Sequence, residues 1–403
     1  MSDELVEILR PAAGGGVARM ADGRVAFVRG ALVGERVRVT VRERSSTFVR
    51  AEVVEVESPS LHRVTPPCPH GGVGACGGCD LQHADDAAQL AWKSALVSDH
   101  LRRIAHVDHS IDVRRPPSPA RGSRTRVRAA VDDAGRLGMR RFRSHDVETM
   151  AMCWLADPRV APAFSEYWPD AVEVELRALG DAPVAVVRRH DGSTTVRTID
   201  GHPYRGPATA RVAVGDLHYE VGPTSFWQSH VDAPALLTER VLDLAALEPG
   251  QRVVDLYSGV GLFALAAARV VGARGRVIAV ESSPDAVRDA RANLSGSPRV
   301  SVRSAAVSAR AVRGAVERGD VVILDPPRAG LARGVVPALA DERPSRVVYV
   351  SCDAATFARD LREFLDTGFS LRHLEVHDLF PMTEHIELVA LLDTDRPRGD
   401  SSH

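Results

Sequence analysis

The sequence predicts three folds in series: a small N-terminal OB-like β-barrel, a central α+β domain and a C-terminal Rossmann-like α/β domain. Three observations carry this. Residues 1–58 alternate apolar and polar side chains in short runs. From about residue 230 apolar strands alternate with helical stretches. Between them, a cysteine-rich loop and an arginine-rich block interrupt a mostly β pattern. A chain of 403 residues is also too long for a single core. The expected boundaries are 1–58, 59–225 and 226–394, with 395–403 a polar, disordered tail.

In the first segment, RVAFVRG, ERVRVTVRE and FVRAEVVEVE are period-two runs separated by glycines and short polar breaks. That is the pattern of short antiparallel strands closing into a small barrel. The segment ends at Ser58-Pro59 and resembles a TRAM domain, an OB-like RNA-binding barrel.

The central segment opens with CPHGGVGACGGCD (68–80), which spaces Cys68, Cys76 and Cys79 as C-x7-C-x2-C. A two-residue gap lets two thiolates reach one metal centre, and Cys153 could complete a set of four. The glycines suit a loop wrapped around a bulky group; zinc and an iron–sulfur cluster both satisfy this donor set. The five cysteines of the chain are an odd number, which argues against a disulfide framework. A helix is expected over DDAAQLAWKSALVSDHLRRI, then strands at RTRVRAAVD, VEVELRAL, APVAVVRR and ARVAVGDLHYEV. Formal net charge is −2, yet Arg114 to Arg143 holds ten arginines against Asp132 and Asp133. Such a block is expected to form a phosphate-binding face.

The C-terminal segment reads RVVDLYS, GLFALAAARVV, GRVIAVE, SPDAVRDARANL, VVILDPP and VVYVSC, a doubly wound α/β sheet. DLYSGVGLFAL (255–265) is a strand, a glycine turn and a helix start. Gly259 and Gly261 let the backbone approach a ligand, and Tyr257 lies beside it. Glu281 ends the next strand, where an acid binds ribose hydroxyls. Ala264 stands where a dinucleotide fingerprint needs its third glycine, so the turn favours S-adenosylmethionine. Asp325 opens DPPRAG (325–330), at a strand end facing the ligand crevice.

Cys352 follows the apolar run in VVYVSCD (347–353), and Glu387 closes HIE (385–387) at the head of another. On a strand His385 and Glu387 would share parity and face one side. One reaction needs both a thiol and a carboxylate. Carbon 5 of uracil is too weak a nucleophile to accept a methyl group unaided. A thiolate must add to carbon 6, and a base must later remove the carbon-5 proton.

Taken together, these motifs resemble the bacterial RNA 5-methyluridine methyltransferases, in particular the iron–sulfur branch that modifies 23S ribosomal RNA. The resemblance spans nearly the whole chain and keeps the family's motif order. It implies a TRAM barrel, a central domain with a [4Fe-4S] cluster on Cys68, Cys76, Cys79 and Cys153, and a methyltransferase domain. It implies that Gln228 in SFWQSH, Tyr257, Glu281 and Asp325 bind S-adenosylmethionine, beside the Gly259 turn. Cys352 matches the nucleophile and Glu387 the proton acceptor. Three departures stand out: the longer first cysteine gap, Leu262 near the cofactor, and VRSAAVSARAV (302–312), which lacks an acid opposite the adenine.

The alternatives are a tRNA 5-methyluridine enzyme, a 5-methylcytidine methyltransferase, a radical methylthiotransferase, and a non-catalytic RNA-binding iron–sulfur protein. A 5-methylcytidine enzyme places its nucleophile in a DAPC-like loop, whereas this loop is DPPR. The expected partner is RNA, with no obligate protein partner. The acidic start MSDELVEIL and the lack of an 18-residue apolar run lead to the expectation of a cytoplasmic protein without a membrane span.

Overall fold

The computed structural model describes residues 3–199, 209–297 and 299–394; the tail at 395–403 lies outside them. Strands Glu4–Glu7, Arg10–Ala12, Gly15–Arg19, Val25–Arg29, Arg36–Arg44 and Phe48–Ser58 form one six-stranded sheet. Their inward positions, among them Val6, Val28, Val37, Val39 and Val49, make a core of their own. The two longest strands pair through three register shifts. Such bulges bend the sheet, as closure of a small barrel requires.

The central sheet is antiparallel and six-stranded. Its spatial order is Val147–Thr149, Leu137–Arg140, Arg126–Val131, Ala171–Arg177, Val184–Arg189 and Thr194–Thr198. A 3-10 segment at Pro158–Ser165 covers one face, and Phe164 and Trp168 join Val127, Val174 and Leu176 in the core. The expected α+β character is corrected here. The α-helix of this region, Asp86–His100, is capped by the Asp85 carboxylate, which accepts from the Ala88 amide at 2.8 Å. It packs elsewhere: Val97, Leu101, Ile111 and Val113 share a core with Tyr349 and Phe357. The metal-cluster part of the expected domain also lacks support. Among the described residues, no group of three or more His, Cys, Asp or Glu side chains is arranged to hold a metal ion.

The C-terminal sheet consists of β1 (Arg252–Leu256), β2 (Arg276–Glu281), β3 (Val300–Ser304), β4 (Val321–Leu324), β5 (Arg346–Ser351), β6 (Phe369–His377) and β7 (Glu387–Thr394). Their spatial order is β3-β2-β1-β4-β5-β7-β6, and Val113–Arg114 adds an eighth strand at the β6 edge. β1 to β5 are parallel; β1, β2, β4 and β5 are largely buried on both faces and so read as mainly apolar runs, whereas the edge strand β3 is half-exposed. β7 runs antiparallel between β5 and β6. This reversal brings the start of β7 beside the end of β5.

The arginine block is not a bare cationic face. Seven of its ten members hold a carboxylate within 4 Å: Arg114, Arg115, Arg126, Arg128, Arg136, Arg141 and Arg143. Among the described residues no helix is long and apolar enough to cross a membrane.

Candidate active site

The carboxyl ends of the parallel strands open onto one crevice, where an open α/β sheet binds its ligands. Tyr257 and Gly259 follow β1, Glu281 ends β2, Asp325 follows β4 and Cys352 follows β5. In the β5–β7 ladder Ser351 pairs with Leu388. The ladder ends there; Cys352 is the next residue of one strand and Glu387 the residue before that pair on the other, and the Glu387 charge is felt at the Cys352 thiol. A thiol and a carboxyl far apart in sequence thus become neighbours.

The turn after β1 is strained and open. Tyr257 holds φ at 64° without being glycine, a rare conformation that persists only where its surroundings enforce it. At Gly259, φ is 55° and an added Cβ would meet nothing within 4 Å, so this backbone faces free space. Glu281 is tied to the turn. It accepts from the Gly259 amide at 3.0 Å and from the Ser282 and Ser283 amides at 2.6 and 2.7 Å. Across the crevice the Gln228 amide donates to Asp325 at 3.3 Å. Gln228 is placed by the central sheet, because the Thr125 amide donates to the Ser229 carbonyl at 2.9 Å.

Electrostatics set the protonation of the site. Burial pushes the Asp325 carboxyl up to about 7, against the Gln228 hydrogen bond. Burial raises Glu387 well above the ordinary carboxylate range; Asp325 adds to the rise and Arg328 opposes it. Glu387 is 3% exposed, so it is no solvated strand-end acid. Burial also pushes the Cys352 thiol up to about 12, reinforced by Glu387 and opposed by Arg328. Asp353 caps the helix Ala354–Asp366 that follows the thiol, accepting from Ala355 and Thr356.

Asp255, Arg328 and Asp360 join the site from the structure. Asp255 is 0% exposed, and no hydrogen bond of ordinary geometry reaches either of its oxygens. Burial and the nearby Asp325 charge hold its carboxyl well above its usual range. A crevice walled by carboxyls that resist ionising alone fits a cationic ligand, beside which they ionise more easily. A sulfonium methyl donor is such a ligand. Asp360 braces the loop after β4: it accepts from the Leu331 amide and the Tyr349 hydroxyl, both at 2.8 Å. His385 does not share a strand face with Glu387, because β7 begins only at Glu387. Its ring instead meets Phe380 edge-on at 6.1 Å.

The four central cysteines converge on a different site. Cys68, Cys76, Cys79 and Cys153 line one small pocket with Gln82, Arg124 and Met139. Burial raises the Cys76 thiol and takes Cys79 up to about 12. Soft thiol donors with no histidine among them suit iron–sulfur chemistry or zinc.

Comparison with known proteins agrees with this architecture. Residues 206–395 match the tRNA (Uracil-5-)-methyltransferase family and residues 5–54 match the TRAM domain. An uncharacterized RNA methyltransferase of Streptomyces coelicolor is 39% identical, over 95% of this chain and 91% of its own length. The 23S rRNA (uracil(1939)-C(5))-methyltransferase RlmD of Aromatoleum aromaticum is 33% identical, over 94% of this chain and 97% of its own length. The Pyrococcus abyssi tRNA (uracil-54, C5)-methyltransferase shares the fold, with a TM-score of 0.69 at 24% identity, covering 96% of this chain and 100% of that one. With a TRAM domain, a central β domain and an S-adenosylmethionine methyltransferase fold in this order, the chain belongs to the RNA uracil-5 methyltransferase family and is an RNA (uracil-5-)-methyltransferase.

Proposed function

We propose that the chain methylates carbon 5 of a uridine in 23S ribosomal RNA, with Cys352 as nucleophile and Glu387 as proton acceptor. The observation that carries the chemistry is the placing of Cys352 at the end of β5 against buried Glu387 at the start of β7. The ribosomal substrate is supported by relatives of that activity that align over nearly the whole chain.

S-adenosylmethionine supplies the methyl group when bound. Tyr257, Gly259, Glu281, Asp325 and Gln228 would hold it, with Asp255 beneath the turn. The target base must leave its stack to reach the crevice. Cys352 sulfur bonds carbon 6, and the electron pair of the 5,6 double bond becomes available at carbon 5. Carbon 5 then takes the methyl group, with the donor's sulfur keeping the bonding pair and leaving as a neutral thioether. Glu387 accepts the carbon-5 proton, the double bond re-forms and the bond from carbon 6 to Cys352 breaks. A buried carboxylate of raised pKa is the stronger base for that step. Arg328, which opposes the rise at both residues, favours the thiolate and the carboxylate.

The reading of a [4Fe-4S] cluster on Cys68, Cys76, Cys79 and Cys153 rests on four thiols lining one pocket, with no histidine among them. Anaerobically purified protein should contain iron and sulfide; stoichiometric zinc without iron refutes this.

Two experiments test the function. Mapping 5-methyluridine in a strain lacking the gene should show its loss from 23S ribosomal RNA; loss from transfer RNA alone overturns the substrate. Cys352→Ala should abolish both the covalent adduct and methyl transfer. Glu387→Gln should trap methylated RNA on the protein, visible on a denaturing gel with labelled methyl donor. Normal turnover by Glu387→Gln removes it from the base role.

A further inference from the structure

The segment that delivers Glu387 to the crevice, residues 378–386, has no regular structure of its own. Other parts of the chain hold it. Lys93, 0% exposed and the sole lysine, donates to the Asp378 carboxylate and, at 2.9 Å, to the Phe380 carbonyl. The Asp80 and Leu81 amides, next to Cys79, donate to the Met382 carbonyl at 2.9 and 3.0 Å. Gln89 accepts from the Met382 amide at 3.1 Å. Met382 itself sits at φ 64°, a strained conformation that these bonds over-determine.

Beyond Met382 the anchoring passes to the barrel. The Gly14 amide donates to a Glu384 carboxyl oxygen at 2.7 Å, across 370 residues of sequence. Gly14 lies in the turn between strands Arg10–Ala12 and Gly15–Arg19. Its neighbour Gly15, at φ 138°, cannot carry a Cβ, which would collide with the Val28 carbonyl. The tip of this hairpin therefore has a fixed shape and presents its amide in one direction. Glu384 stands three residues before Glu387.

The joint is polar. Glu384 lines a small pocket with Gly14, Arg29, Asp80, His83 and Trp92. Arg29 Nη1, His83 Nε2 and Trp92 Nε1 are buried there without a protein partner. A contact built from hydrogen bonds and half-satisfied donors opens at lower cost than an apolar interface of the same size. It suits a joint that responds to what the barrel binds.

We propose that Glu384 is a positioning residue: through its bond to the Gly14 amide, the docked RNA-binding barrel holds the loop that aims Glu387 at the carbon-5 proton. This rests on the reading of Glu387 as proton acceptor. Loss of Glu384 should misplace the base while leaving Cys352, at the end of a rigid parallel strand, where it is. The two half-reactions should then separate. Adduct formation and methyl transfer proceed, and release slows.

The test uses the full-length protein, an unmodified 23S ribosomal RNA transcript and radiolabelled S-adenosylmethionine under single-turnover conditions. Glu384→Ala and the similar-length Glu384→Met both remove the acceptor; the second keeps the cavity filled if the first folds poorly. Each should form methylated adduct within about threefold of the wild-type rate yet release free RNA at least about tenfold more slowly, with KM for RNA little changed. Glu384→Gln keeps a carbonyl acceptor for Gly14 and should restore release to within about threefold of wild type. A generally loosened fold would instead depress adduct formation and release together and raise KM; that result overturns the proposal, as does wild-type release by both variants. Glu387→Gln, measured in parallel, separates the two readings. If it accumulates adduct while the Glu384 variants release freely, only the positioning role falls. If it accumulates none, the base assignment itself falls.

Discussion

Cys352 should behave in the free protein as a deeply suppressed thiol, and its alkylation rate reads that directly. Burial first, then the charges of Glu387, Asp325 and Asp353, push it up to about 12, with Arg328 pulling the other way. At pH 8 a group of pKa 12 is about one part in ten thousand thiolate, whereas an ordinary thiol near 8.5 is about one quarter thiolate. Because only the thiolate reacts, Cys352 should alkylate roughly two-thousandfold more slowly than an exposed cysteine. The rate should also climb about tenfold per pH unit between pH 7 and 10, without a plateau. Iodoacetamide labelling followed by mass spectrometry of the Cys352 peptide separates it from the four central cysteines. Arg328→Met removes the favourable cation, so the thiol rises further and labelling slows at every pH. A plateau below about pH 9, or faster labelling in Arg328→Met, would refute this electrostatic account. The consequence for catalysis is specific. On the proposed role of Cys352, its thiolate has to be generated inside the substrate complex, where a positive methyl donor and a raised-pKa carboxyl would stand beside it, and the thiol is shielded from adventitious oxidation until then.

Three further expectations concern stability and RNA affinity. Lys93→Met leaves Asp378 buried with Arg115 alone, and urea denaturation should show a loss of about 3 kcal/mol; a change under about 0.5 kcal/mol would show the pair to be dispensable. Glu375 is held down to about 2 by burial-resisting hydrogen bonds from Arg240 and His373 and by the nearby His377. A depressed carboxyl contributes stability that is present above its unfolded value and lost as pH falls toward the folded one. The protein should therefore lose on the order of 2–3 kcal/mol between about pH 4.5 and pH 2, and Glu375→Gln should flatten that limb; an unaltered acid limb in that variant would refute it. Arg126 and Arg128 are paired with Glu175 and Glu173, so replacing both with alanine should change the slope of log affinity against log salt by less than about 0.5, whereas two phosphate contacts would remove about 1.4.

The strand ends of the methyltransferase domain are legible because parallel β-strands buried on both faces are continuous apolar runs, each closed by a polar residue. Tyr257, Glu281, Asp325 and Cys352 all sit at such closures. That Glu387 meets Cys352 is not legible in the same way. It depends on β7 running antiparallel between β5 and β6, a topological fact without a local sequence signal. The parity of His385 and Glu387 misleads for a related reason: alternation counts only inside a strand, and β7 starts two residues too late for His385. Asp255 reads as an ordinary strand-end acid until its complete burial is seen. The arginine block shows the opposite failure. Composition counts cations, but the carboxylates that neutralise them, such as Glu43 for Arg143 and Asp378 for Arg115, come from distant stretches.

The same limit explains why the central segment resists division by sequence. Its cysteine loop, helix Asp86–His100 and strand Val113–Arg114 look like parts of one domain because they are consecutive. In space the helix and the strand complete the core and edge of the catalytic sheet. The cysteine loop is then held between them and the barrel: Arg29 of the barrel donates to the Cys79 carbonyl at 3.4 Å, and the next two amides donate to Met382. Barrel, cysteine loop and catalytic loop are therefore one connected set of hydrogen bonds ending at Glu384. An arrangement of this kind ties the geometry of Glu387, the proposed base, to two features remote from it, the seating of the barrel and the integrity of the cysteine site. Cys352, the proposed nucleophile, follows a strand inside the sheet and is tied to neither. Perturbing the cysteine site by Cys79→Ser should accordingly slow release of methylated RNA more than formation of the adduct. Equal slowing of both would mean that the loop serves the fold as a whole rather than the base.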